Sequence, residues 1–129
     1  MITNISTVHV FVRDYDEALA FYTTKLGFEL QMDAPMGPDQ RWVQLAPKGA
    51  QTSLVLAKPA SGMPDYDKAT ASIGSFANFI FNVDDLEATY RELSAREVEF
   101  VDKPAKQDWG WWATMKDQDG NTIGLHANA

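Results

Sequence analysis

The pattern of apolar and polar positions near the start of the chain returns past its midpoint. Residues 5–13 are dominated by β-branched and aromatic side chains, and their alternation places Thr7, His9 and Phe11 on one face of a predicted strand. Residues 76–83 have the same character and predict a second strand of this kind. The chain therefore contains two related segments, each opening on a strand.

A helix start signal follows each of these strands. Asp14 with Glu17 three residues later predicts a helix N-terminus, because both side chains can pair with backbone groups that the helix leaves unbonded. Asp84 or Asp85 opens the second helix. Gly27 ends the first helix, since glycine adopts the left-handed conformation without steric cost.

Three further strands are predicted after each helix. They cover 28–33, 41–46 and 52–57 in the first segment, and 98–101, 111–116 and 122–127 in the second. Glu97 stands where the first segment has Gly27, so a repeated geometry would give Glu97 a positive φ at a cost of roughly 1 kcal/mol. Each segment is thus a βαβββ unit, and the fold class is α+β.

The predicted domain organisation is one domain spanning 1–129. Its first unit covers 1–57, a linker covers 58–74, and the second unit covers 75–129. The linker contains Pro and Gly residues and is long for a connection inside a compact domain. It is expected to be either a lid or a strap that crosses between the units.

Composition and charge restrict the classes of partner. The chain has a net charge of −7 and no cluster of Lys and Arg, which argues against a nucleic-acid partner. It has no cysteine, so disulfides and thiolate metal sites are excluded. The N-terminal segment lacks the basic and apolar regions of a signal peptide, and no stretch is apolar enough to span a membrane. We therefore expect a cytoplasmic protein without a membrane partner.

Several motifs together resemble the vicinal oxygen chelate (VOC) superfamily, which includes glyoxalase I, the fosfomycin- and bleomycin-resistance proteins and the extradiol dioxygenases. The motifs are Val12-Arg13-Asp14, Phe21-Tyr22, Leu26-Gly27-Phe28 and Asp117-Gln118-Asp119-Gly120-Asn121. The resemblance implies curled mixed sheets that form a concave ligand-binding face. It also implies a homodimer, since many members form one.

The resemblance also implies where a metal would bind. The ligand positions on the first strands fall on Thr7 and Asn78. Those on the last strands fall on Gly124 and on Leu54 or Val55. None of these residues is a histidine or a carboxylate, which a divalent ion requires, so no metal or other cofactor is expected.

The two histidines carry alternative interpretations. His9 is predicted on the same strand face as Thr7 and is either a hydrogen-bonded pocket-edge residue, a catalytic base or a displaced metal ligand. His126 lies two residues past Gly124 and is either a solvated terminal residue or a second member of a displaced site with His9. Such a site would also need a carboxylate, for which Glu29 and Glu99 are the strand candidates.

Tryptophan is the residue type most suggestive of a ligand. The four tryptophans are Trp42, Trp109, Trp111 and Trp112. Their rings suit stacking against a planar or apolar molecule, and Arg41 or Gln44 could fix its polar end. The alternative is that the rings belong to the core or to a dimer interface. Asn78, on an otherwise apolar strand, either binds a ligand or pairs with the backbone.

Three functional hypotheses follow from these residues. The first is a glyoxalase- or bleomycin-resistance-like protein that binds a small, partly apolar molecule without the usual metal. The second is a metal-dependent lyase, isomerase or dioxygenase with relocated ligands. The third is a non-catalytic dimeric interaction module with its tryptophans buried between subunits.

Overall fold

A computed structural model describes residues 1–129, which divide into two compact units at Met1–Ile73 and Gly74–Ala129. The elements of the first unit are β1 (Thr7–Phe11), α1 (Tyr15–Ala20), β2 (Glu29–Gly37), β3 (Gln40–Ala46), β4 (Ser53–Ala57) and α2 (Tyr66–Ser72). Those of the second are β5 (Phe76–Asn82), α3 (Leu86–Ala95), β6 (Ala105–Gln107), β7 (Gly110–Lys116) and β8 (Thr122–Ala127).

Each unit contains one four-stranded mixed sheet. The strand order is β1-β4-β3-β2 in the first sheet and β5-β8-β7-β6 in the second. The first and last strands of each unit pair in parallel, and the other pairs are antiparallel. This repeated arrangement confirms the predicted fold class of two βαβββ units.

The first unit buries one face of its sheet against α1. Val43 and Leu45 of β3 are fully buried and lie opposite Leu56 and Leu54 of β4. Tyr15, Ala18 and Tyr22 on the helical segment are also buried. Alternation along the strands places their other residues on the opposite face, which we call the open face of the unit.

The second unit repeats this packing with α3. The register pairs Ala113 with Leu125 and Met115 with Ile123, and all four side chains are buried. The open face of this unit therefore carries the alternate residues, among them Gly124 of β8.

The helix signals in the sequence are confirmed. The Asp14 carboxylate accepts a hydrogen bond from the backbone N–H of Glu17 at 2.8 Å. Asp85 caps α3 in the same way, accepting from the N–H of Ala88 at 3.0 Å. A π-helical turn, Phe21–Lys25, continues α1 to Gly27. Glu97 has a φ of 66°, close to the 77° of Gly27, so the left-handed turn repeats without a glycine.

Three predicted boundaries differ from the structure. Residues 98–101 do not form a strand but make one bridge, between Phe100 and Met115, and the edge strand lies later at β6. Strand β2 continues through Pro35, beyond the predicted strand end at residue 33, and its register with β3 shifts after Pro35. The segment 58–74 contains α2, and residues up to Ile73 belong to the first unit. None of the helices has the length and hydrophobicity of a membrane-spanning helix.

Candidate functional site

A pocket of about 280 Å³ lies within the first unit. Its floor is the open face of the sheet, contributed by His9 and Phe11 of β1, Trp42 of β3 and Val55 of β4. Its lining is mainly apolar, as is usual for sites that bind small organic molecules. The volume is at the lower end of such sites, so the pocket fits one small molecule or one part of a larger one.

The second wall of the pocket is formed by residues that follow β4. Lys58, Pro59 and Ala60 leave the strand, and Met63 and Tyr66 continue the lining towards α2. Met63 and Tyr66 are exposed, with 54% and 37% of their surface accessible, so this wall is open to solvent. The segment that was predicted to be a lid or a strap therefore contributes one side of the pocket.

A chain of hydrogen bonds fixes the ring of Trp42. Its indole N–H donates to Oε1 of Gln44 at 2.9 Å, and Nε2 of Gln44 donates to Oε1 of Gln31 at 2.9 Å. The hydroxyl of buried Ser53 donates to the same Gln31 oxygen at 2.7 Å. Because both ends of the Gln44 amide are used inside the protein, Gln44 positions the tryptophan and does not line the pocket.

His9 lies beside this tryptophan. Its ring meets Trp42 edge to face with centroids 5.7 Å apart. Its Nε2 is 3.4 Å from the hydroxyl of Thr7, a long contact, and the side chain is exposed. His9 therefore lines the pocket floor beside Trp42. Thr7 shares the open face with His9 but does not line the pocket.

Arg41 is a charged residue of the pocket that forms ion pairs within the protein. Its guanidinium donates to both oxygens of Asp33, at 3.1 and 2.7 Å, and to Asp16 at 2.8 Å. The hydrogen bond from Arg41 is the main cause that lowers the pKa of Asp33, and the hydrogen bonds to Asp33 and Asp16 raise the pKa of Arg41. Arg41 also lies over the Tyr15 ring, 5.2 Å from its centroid. Its charge is therefore neutralised by the protein's own carboxylates.

The open face of the second unit carries a separate aromatic cluster. Trp109 stacks on His126 with centroids 5.8 Å apart, and it meets Trp112 edge to face at 6.1 Å. Nδ1 of His126 lies 3.2 Å from the side-chain oxygen of Asn82. His126 is thus held by neighbours and is only partly exposed.

The remaining predicted site residues also lie in the second unit. Asn78 is exposed on β5 and does not line the pocket of the first unit. Trp111 lies on β7 next to Trp112, and alternation places the two rings on opposite faces of the sheet. Of the predicted ligand-binding residues, His9 and Trp42 line the pocket of the first unit.

Sequence reasoning missed several pocket residues. Met36 lies between the predicted strands 28–33 and 41–46, and Lys58, Met63 and Tyr66 lie in the predicted linker. The sequence contained one sign that 58–74 contributes to a site. This segment is too long for a plain connection and carries apolar side chains between its Pro and Gly residues.

The comparisons with known proteins decide the family. A family model described as the Glyoxalase/Bleomycin resistance protein/Dioxygenase superfamily matches residues 4–125. The chain belongs to this superfamily. The resemblance noted in the sequence is therefore confirmed.

Relatives within the superfamily are similar over their whole length. YetH of Bacillus subtilis (strain 168) is 40% identical over 123 residues, covering 95% of this chain and 97% of YetH. A crystal structure of a superfamily member from Sphaerobacter thermophilus DSM 20745 has a TM-score of 0.87 and 30% identity, covering 98% of each chain. TnmS3, an antibiotic binding protein from Streptomyces sp. CB03234, has a TM-score of 0.82 and 36% identity, covering 99% of this chain and 98% of TnmS3.

The metal that many superfamily members hold does not fit the residues present. In the first unit Val55 lies beside His9 in the strand register, and it is apolar and buried. In the second unit the ring of Trp112 lies so close over Gly124 that a Cβ atom there would overlap it. Thr7 and Asn78 supply only a hydroxyl and an amide. No group of three or more His, Asp or Glu side chains is arranged to hold a metal ion.

Proposed function

We propose that this chain binds a small, planar and mainly apolar molecule in the pocket of its first unit, without a metal ion. The observation that carries the proposal is the fixed ring of Trp42 on the pocket floor, whose N–H is already bonded to Gln44. A ring held in this way offers its face to a ligand and loses little conformational freedom when the ligand binds.

The surrounding side chains support an apolar ligand. Phe11, Val55 and Met36 line the pocket beside Trp42, and Met63 lies on the opposite wall. Methionine side chains adapt their shape readily, so this lining can close around ligands of somewhat different outline. Contact with these side chains removes apolar surface from water, which is the main source of affinity.

The antibiotic-binding neighbour supports the same class of ligand. TnmS3 is described as an antibiotic binding protein and is similar to this chain over nearly its whole length. We propose by this likeness that the ligand is an antibiotic-like aromatic molecule and that binding it, rather than converting it, is the activity. We further propose that the chain forms a homodimer.

Fluorescence titration tests the proposal. The neutral dye N-phenylnaphthylamine is a suitable probe because it is apolar and uncharged and carries a flat naphthalene ring. We expect saturable binding, and a Trp42→Ala variant should bind the dye at least roughly tenfold more weakly, the loss expected for a buried aromatic contact.

The matched control is Trp109→Ala. Trp109 is 58% exposed and lies in the second unit, outside the pocket lining. The variant should bind the dye like the wild-type protein. An affinity that falls in Trp109→Ala and is unchanged in Trp42→Ala would contradict the assignment of the pocket, and a wild-type protein that does not bind would contradict the function.

A further inference from the structure

One cation at the pocket has no partner in the protein. Lys58 lines the pocket and is half-buried, yet its ammonium group takes part in no hydrogen bond or ion pair. Arg41, the other cation of the lining, is paired with Asp33 and Asp16. The pocket therefore has one basic group whose charge is not neutralised.

The backbone of Lys58 is restricted by its sequence neighbours, although its side chain is not paired. Lys58 directly follows the end of β4 at Ala57, and its carbonyl makes only a long contact, 3.4 Å, with Nε2 of Gln40. Pro59 follows and restricts Lys58 to extended backbone conformations. The flexible stem of a lysine anchored here can carry its ammonium to a ligand that lies on Trp42.

The other ionisable groups of the lining do not neutralise this charge. Asp65 is the carboxylate of the lining, but it is exposed and forms no ion pair with Lys58. A ligand that covers Lys58 removes water from its ammonium, which is costly unless the ligand supplies a negative partner. A cationic ligand would meet both this cost and repulsion.

We infer that the ligand carries an anionic group, such as a carboxylate or an acidic phenolate, on its planar body, and that Lys58 pairs with it. This inference rests on the proposed function, because it concerns the same pocket. The apolar body lies against Trp42 and the methionines, and the anionic group lies at the Lys58 end, where β4 passes into the second wall. Lys58 thereby selects anionic ligands over neutral ligands of the same shape.

Two dyes with one aromatic framework test the inference. Anilinonaphthalene sulfonate is an anion, and N-phenylnaphthylamine is its neutral counterpart. We expect wild-type protein to prefer the anion, and Lys58→Met to lower the ratio of anion affinity to neutral-dye affinity by about tenfold, as expected for the loss of a charge-assisted hydrogen bond. Lys58→Arg should retain the preference. Added salt should weaken binding of the anion only.

Lys48→Met is the matched control. Lys48 is an exposed turn residue outside the pocket lining, and its substitution changes the net charge by the same amount. It should leave both affinities unchanged. If both dyes bind equally and Lys58→Met has no effect on the anion, the role of Lys58 is wrong while the proposed pocket stands. If neither dye binds the wild-type protein, the proposed function itself fails and this inference falls with it.

Discussion

At the level of single residues, Trp112 explains why the two units carry different residues at one matching strand position. Val55 of β4 and Gly124 of β8 occupy the same register position, opposite the first strand of each unit. The Trp112 indole, which donates to the hydroxyl of Thr114 at 3.2 Å, lies over Gly124. A glycine is required there because the tryptophan takes up the space of a side chain.

The first prediction concerns this contact. Gly124→Ala should lower the free energy of unfolding by about 1–3 kcal/mol, because the added methyl overlaps the Trp112 ring in a buried site. Urea denaturation measures the loss. In a Trp112→Ala background the same substitution should cost much less, and fully additive effects of the two substitutions would show that the ring does not restrict this position.

A second residue-level prediction concerns the ion pair beside the pocket. Arg41 lowers the pKa of Asp33 below its ordinary value of 3.8 in the folded state, so the pair stabilises the fold above that pH and the contribution is lost as the pH falls through the lowered value. The wild-type protein should therefore unfold at higher urea than Asp33→Asn at neutral pH. The gap should be small, because the pair is partly solvent-exposed, and should close in acid. A gap that widened in acid would have the wrong sign.

At the level of elements, the segment that follows β4 links the fold to the proposed function. Residues 58–69 contribute the second wall of the pocket and are mostly exposed. Few buried contacts hold such a segment, so its amides should exchange readily in the free protein. Saturation with the anionic dye should slow hydrogen exchange in 58–69 several-fold, as followed by mass spectrometry. Amides of α3 serve as the reference, and protection that appeared in α3 but not in 58–69 would place the ligand elsewhere.

The elements also show what the sequence could predict. Both βαβββ units followed from strand alternation, acidic caps and the left-handed positions Gly27 and Glu97, because these signals are local. The pocket did not follow, since it depends on which side chains three strands bring together. His9 and Trp42 were found because strand alternation and residue type indicated them, whereas Lys58 needed the path of the chain after β4.

The contacts of polar side chains were also not predictable from the sequence. Gln44 was predicted to contact a ligand; in the structure both ends of its amide bond to Trp42 and Gln31, and the ligand contact itself stays a prediction. A sequence does not reveal which polar groups satisfy one another, because those partners come from different strands. Asn121 is another such residue, because it is buried and its side-chain amide donates to Asp117 at 2.9 Å.

At the level of the whole molecule, the homodimer stays a prediction. Large apolar side chains such as Phe76 and Ile80 are more than half exposed on the free chain, which is common at surfaces that associate. Sedimentation equilibrium should give twice the chain mass of 14.4 kDa. A single-chain mass at micromolar concentration would contradict the dimer and leave the pocket of the first unit unaffected, because one chain supplies all of its lining.

Metal-independent binding is the central claim for the whole molecule, and calorimetry tests it most directly. Neutral N-phenylnaphthylamine should be titrated into protein freed of metal by a chelator, and again after addition of Ni, Zn, Mn or Fe(II), with metal content measured by elemental analysis. We predict the same affinity in every case and no bound ion. About one tightly bound ion per chain, lost in His9→Ala and required for dye binding, would contradict the account and indicate a metalloenzyme with a displaced site.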